Sequence, residues 1–99
     1  MFLRCWIIGD SEPFLVQGDK EQFIVDLKYA IVAKRPYRFP GVDTTTIELF
    51  KKDIPRKGKL ILQLSDLGKE LDETCRIGDY FEENPPKGNI HVVINYSGK

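Results

Sequence analysis

The sequence has few of the residues that most often carry out catalysis. It holds one histidine, His91, and two cysteines, Cys5 and Cys75. A general base must lie within reach of the group it deprotonates, and no nucleophile is spaced to pair with His91, so a structural histidine in a strand is favoured. We predict no catalytic residue. A small hydrolase or nuclease using His91 is the less favoured alternative.

The two cysteines are too few for a disulfide framework. Cys5 lies inside an apolar run, where a thiol usually behaves as a small buried hydrophobe, and Cys75 lies in a polar stretch. The sequence therefore favours two free thiols, with a single bond between them as the open alternative.

Net charge is also lacking, because 15 Lys and Arg residues balance 15 Asp and Glu residues. Without an excess of charge there is no global attraction to nucleic acid, and we expect no nucleic-acid binding by this domain. Long apolar runs are absent too: the first one is interrupted by Arg4, and none approaches the length that spans a bilayer. We therefore predict no membrane span.

One group of acidic residues invites a metal interpretation. Asp66, Glu70, Asp72 and Glu73 lie close together in the sequence, but they lack the ligand spacing of an EF-hand loop. A solvated acidic loop is the favoured interpretation. We predict no metal site and no cofactor.

What the sequence does contain is the pattern of one globular domain over residues 1–99, with 41% hydrophobic and 30% charged residues. Apolar runs from Phe2 to Ile8 and from Phe14 to Val16 flank the turn-forming stretch 9–13, and a helical segment from Phe23 to Lys34 follows. A strand, a turn, a second strand and a helix are the opening of a β-grasp domain. The predicted class is therefore α+β: a ubiquitin-like β-grasp in which one main helix packs across a mixed sheet.

Two further strands complete the predicted sheet. Thr44 to Phe50 is rich in β-formers, and Asn89 to Tyr96 alternates in the manner of a strand. The first and last strands are apolar over most of their length, which predicts that they lie side by side and parallel at the centre of the sheet. The segment 59–64 fits either a short strand or a helical turn.

The predicted helix carries more apolar residues than one face requires. Its core stripe is Ile24, Leu27 and Ile31, and a second flank is formed by Val25, Tyr29 and Val32. Either the chain covers this flank with the loop 37–43 or the segment 67–71, or another protein or a second copy covers it. Asp19, with Gln22 three residues on, has the spacing of a capping box and predicts the helix N-cap.

The third strand offers a second candidate surface. With Ile47 and Leu49 facing the core, Glu48 and Phe50 should face outwards. The predicted partner-binding residues are thus Val25, Tyr29, Val32, Glu48 and Phe50, for a protein partner or a homodimer.

Five segments occur in an order and spacing that a known family shares: Gly9-Asp10-Ser11-Glu12-Pro13-Phe14, Val25-Asp26-Leu27-Lys28, Ile47-Glu48-Leu49-Phe50-Lys51, Tyr80-Phe81 and Ile90-His91-Val92. Together they resemble the N-terminal ubiquitin-like domain of Crinkler effectors from oomycetes and fungi. The resemblance implies a non-catalytic N-terminal module that precedes a variable C-terminal effector domain. It also implies secretion, delivery into the cytoplasm or nucleus of a host cell, and protein–protein interaction.

The family's name-giving motif, leucine-phenylalanine-leucine-alanine-lysine, falls at Leu49-Phe50-Lys51-Lys52-Asp53, where the first two residues match. Leu49, Phe50 and Lys51 are therefore a partial match to the delivery motif, as in the fungal variant of this N-terminal domain. The segment 96–99 lacks the terminal Gly-Gly of a conjugated modifier, and we expect a domain excised from a longer effector. An intracellular ubiquitin-like interaction module without export is the alternative.

Overall fold

The computed structural model describes residues 1–10, 12–39, 46–55, 68–81 and 88–96. Within these ranges it contains four strands, one α-helix and one short 3₁₀ turn. In chain order they are β1 (Phe2–Ile7), β2 (Phe14–Gln17), α1 (Ile24–Lys34), β3 (Ile47–Pro55), the 3₁₀ turn (Ile77–Asp79) and β4 (Asn89–Tyr96).

The four strands form one mixed sheet in the order β2-β1-β4-β3. β1 pairs antiparallel with β2 and parallel with β4, and β3 pairs antiparallel with β4. The first and last strands are therefore neighbours at the centre of the sheet, as their apolar character predicts. A mixed sheet with one helix confirms the predicted α+β, ubiquitin-like β-grasp fold.

Both faces of the sheet are apolar. On the helix side, Cys5 and Ile7 of β1 pack in one buried cluster with core residues of α1 such as Leu27. Because successive strand residues point to opposite faces, Trp6 belongs to a second cluster on the other side. This second cluster consists of Trp6, Phe50, Ile90 and Val93, with Ile8 and Ile54 packed against it.

The helix begins differently from the prediction. Phe23, and not Asp19, is its N-cap residue. Asp19 and Gln22 instead close a turn of their own, in which the Asp19 amide donates to Gln22 Oε1 at 2.9 Å. The first helical amides donate to main-chain carbonyls of a crossing segment, residues 73–75: Ile24 N lies 2.8 Å from Cys75 O, and Val25 N lies 3.3 Å from Glu73 O. The crossing segment satisfies donors that a side-chain cap would otherwise serve.

β3 extends further than predicted, to Pro55 in place of Phe50. Its pairing with β4 shifts register between Lys51 and Ile54, where two residues of β3 lie opposite His91 alone. A bulge of this kind bends the strand and increases its local twist. Thr44 and Thr45 of the predicted strand, and the segment 59–64, lie outside the described residues.

Candidate functional site

The helix flank predicted to bind a partner is only partly exposed. Val25 and Val32 are half-buried, and Val32 packs against the helix-side cluster. Tyr29, in contrast, is 60% exposed. The loop 37–43 is one segment predicted to cover this flank. Its residue Phe39 is buried, and the Phe39 ring centroid lies 5.0 Å from that of Tyr96. The flank therefore presents one large ring, that of Tyr29.

Beside Tyr29, the helix carries a buried cation. Lys28 is 2% exposed, and its Nζ lies 3.3 Å from Glu73 Oε2 and 3.9 Å from Glu70 Oε2. A buried ammonium is strongly unfavourable unless it is paired. The two carboxylates pair it, and Glu73 thereby ties α1 to the crossing segment.

These contacts bear on the acidic group considered as a metal site. Asp72 binds its own turn, where the hydroxyl and the backbone amide of Thr74 donate to Asp72 Oδ1 at 2.7 and 2.9 Å. These hydrogen bonds lower the pKa of the Asp72 carboxyl. Among the described residues no group of three or more His, Cys, Asp or Glu side chains is placed to hold a metal ion. Asp66 lies outside those residues.

On the third strand, the prediction that Phe50 faces solvent is wrong. The ring leaves the helix-side core, as strand alternation requires, but it is only 6% exposed because it packs in the second cluster. Glu48 is half-buried, and its Oε1 accepts a hydrogen bond from Asn95 Nδ2 at 2.7 Å. The sequence contains a signal for this burial. Trp6 and Val93 alternate with core residues and are themselves apolar, which indicates a second apolar cluster on the opposite face of the sheet.

His91 has a structural position. It is 5% exposed, and its Nδ1 accepts a hydrogen bond from the backbone amide of Arg4 at 2.9 Å. The regular pairing of β1 with β4 begins one residue later, at Cys5 and Val92. If the β1–β4 ladder were longer, the Arg4 N–H would bond to a main-chain carbonyl of β4. Here the imidazole of His91 is its acceptor instead, so His91 Nδ1 is engaged in a structural hydrogen bond.

The two thiols are both free. Cys5 is fully buried, and this burial raises the pKa of its thiol far above the ordinary range. Since the thiolate is the nucleophilic form, Cys5 is unsuited to covalent chemistry. Cys75 is half-buried in the crossing segment.

A further surface was not predicted. Phe2 is 58% exposed and Leu15 is 41% exposed, on the face of β1 and β2 that points away from α1. Arg4 lies opposite Leu15 in the strand register, and Gln17 lies opposite Phe2. We call these four residues the edge patch. Their signal in the sequence is that they alternate with the buried residues of the two strands.

The chain matches the sequence model of the family described as Crinkler effector protein N-terminal domain, over residues 1–95. The chain belongs to this family. It is also 33% identical over 99 residues to "Crinkler effector protein 1" of Rhizophagus irregularis, an alignment that covers 93% of this chain and 20% of that protein. The chain thus spans about a fifth of the length of the curated relative it matches.

In this Crinkler domain, two of the three residues at the family's name-giving motif are buried in the core. Leu49 is fully buried in the helix-side cluster, and Phe50 is buried in the second cluster. Lys51 is exposed, with its Nζ 5.7 Å from the centroid of the Phe81 ring. Within the part of the chain that the structure describes, no helix has both the length and the apolar character needed to cross a membrane.

Proposed function

We propose that this Crinkler domain is a non-catalytic N-terminal module that serves the export or host-cell delivery of a longer effector and makes protein–protein contacts. The observation that carries the proposal is the pair of matches: the family model covers residues 1–95, whereas the aligned region is 20% of the relative's length. A domain of that size leaves most of such an effector to perform other tasks.

The positions of His91 and Cys5 support a non-catalytic role. His91 Nδ1 is bonded to the Arg4 amide, and the Cys5 thiol is buried in the core. In an effector that carries this domain, we expect His91→Gln to leave enzymatic activity unchanged, since glutamine keeps an acceptor for the Arg4 amide. Loss of activity in a variant whose circular dichroism and melting are those of the wild type would favour the hydrolase alternative.

Delivery is tested by fusing residues 1–99 in front of a folded reporter and expressing the fusion in a secreting cell. We expect the reporter to reach the medium and, in co-culture, the cytoplasm or nucleus of the host cell. The control is the same fusion carrying Ile94→Asp, which places a carboxylate in the helix-side cluster and unfolds the domain. A fusion that stays inside the producing cell would support the alternative of an intracellular interaction module.

The proposed partner contact on the helix flank is tested at Tyr29. If the flank self-associates, Tyr29→Glu should lower the mean mass measured by light scattering at high concentration. Tyr37→Glu is the matched control, because Tyr37 is 85% exposed and lies outside the helix. A wild-type protein that stays monomeric at millimolar concentration would contradict a homodimer through this flank.

A further inference from the structure

The outer edge of β2 presents main-chain groups that have no hydrogen-bond partner among the described residues. Met1 and Gly18 exchange two hydrogen bonds, Met1 N to Gly18 O and Gly18 N to Met1 O, each 2.9 Å. Bonded and non-bonded pairs alternate along an antiparallel ladder, so the N–H and C=O groups of Leu15 and Gln17 point away from β1. These main-chain groups of Leu15 and Gln17 form no hydrogen bond with any described residue.

The opposite edge of the sheet is different. There the Leu49 carbonyl of β3 accepts a hydrogen bond from Leu71 N at 2.8 Å. Natural sheets protect a free edge with charged side chains, with proline or by keeping the edge strand short. β2 is short, but its sequence Phe-Leu-Val-Gln carries no charge and no proline, and no described residue bonds to its outer edge.

The edge patch beside this edge combines apolar surface with a cation, Arg4, whose Nε has no acceptor. Phe2 and Leu15 are the exposed apolar members. Arg4 is half-buried, and its Nε is buried without a hydrogen-bond partner. Its guanidinium forms no ion pair with any described residue. A buried N–H of a charged group without an acceptor is unfavourable. A carboxylate placed against the rest of the guanidinium would form a charge-assisted contact with it.

We propose that the edge patch docks an extended, acidic segment of a partner protein. The segment adds as a further strand beside β2 and bonds to the main-chain groups of Leu15 and Gln17. It lays an apolar side chain on Phe2 and Leu15, and it places a glutamate or aspartate against Arg4. A second copy of the chain fits less well, because β2 itself contains no carboxylate that could pair with Arg4. The inference rests on the proposed interaction role only in taking the partner to be a protein, and it does not depend on export.

The test uses the isotope-labelled domain of residues 1–99 and a blocked heptapeptide, Thr-Val-Thr-Glu-Thr-Val-Thr, whose valines and glutamate share one face of a strand. In the free domain, the amides of Leu15 and Gln17 should exchange with solvent much faster than that of Val16. Saturating peptide should slow both by about tenfold or more, as for amides that enter a ladder. The same peptide with lysine in place of glutamate is the control.

Two arginine variants separate recognition from net charge. Arg4→Gln should weaken peptide binding by about tenfold, the loss of one charge-assisted contact. Arg76→Gln removes the same charge from an exposed residue that pairs with Glu21, and it should leave binding nearly unchanged. Equal effects of the two variants, equal binding of the lysine peptide, or no binding at millimolar peptide would each overturn the proposal.

The residues whose NMR signals change on addition of the peptide show where it binds. Shift changes confined to the helix flank would overturn the edge as the site. Protection of Leu15 and Gln17 that rises with protein concentration alone would show a second copy as the occupant, which also overturns the proposal. The delivery assay described above is independent of every one of these results.

Discussion

At the scale of single residues, Cys5 and Cys75 differ in a way that chemistry can measure. Cys5 is fully buried and Cys75 is half-buried. We expect an aromatic disulfide reagent to label one thiol per native chain and two in denaturant. Cys75→Ala should abolish the native labelling. Rapid labelling of Cys5 in the native protein would contradict its position in the core.

The buried thiol also predicts a pH dependence of stability. In the unfolded chain Cys5 ionises above about pH 8.5, whereas its raised pKa keeps it neutral in the fold. Its contribution is therefore complete below that pH and is lost as the pH rises, by about 1.4 kcal/mol of unfolding free energy per pH unit.

Urea unfolding at neutral and alkaline pH measures this dependence. Cys5→Ala should show a shallower alkaline loss of stability than the wild type. Parallel pH profiles for Cys5→Ala and the wild type would show that burial does not suppress ionisation of the thiol.

Phe50 tests whether the second cluster stabilises the fold. Phe50→Ala removes a ring packed with Trp6 and Val93, and we expect it to lower the unfolding free energy by about 3–5 kcal/mol. Phe2→Ala is the matched control, because Phe2 is 58% exposed, and its cost should stay within about 0.5 kcal/mol. Urea denaturation compares the two, and similar costs would mean that the second cluster is loosely packed.

At the scale of elements, the helix depends on the crossing segment for its first hydrogen bonds and for the partner of Lys28. Glu73→Gln leaves a buried ammonium with the more distant Glu70, and we expect a loss of about 1–3 kcal/mol. Glu21→Gln breaks an exposed pair with Arg76 and should cost less than about 1 kcal/mol. Equal losses in urea unfolding would argue that the Lys28 pair is solvated.

Local patterns predicted most of the elements, and long-range contacts account for what they missed. β4 matches its predicted bounds, and β2 contains its predicted apolar run, because alternation and turn residues are local signals. The N-cap was misplaced because the groups that satisfy Ile24 and Val25 come from residues 73–75, which no local motif announces. The burial of Phe50 was not predicted because only the helix-side face of the sheet was expected to be covered. The edge patch was missed because a free edge is visible only once the strand order is known.

At the scale of the whole molecule, the feature with the widest consequence is the parallel pairing of β1 with β4. The hydrogen bond from Arg4 N to His91 Nδ1 joins residues 87 positions apart. Loop closure over such a span opposes early folding, and non-local pairing slows it. We expect residues 1–88 alone to remain unfolded by circular dichroism, and to fold when a synthetic β4 peptide is added.

This order of assembly bears on passage through a membrane. A chain whose first strand must wait for its last cannot complete its core while it is being synthesised or threaded. In a domain that is exported amino end first, the leading residues would therefore enter the export channel unfolded. Under the proposed export, the core would close only after β4 has emerged, and the leading residues would pass unfolded.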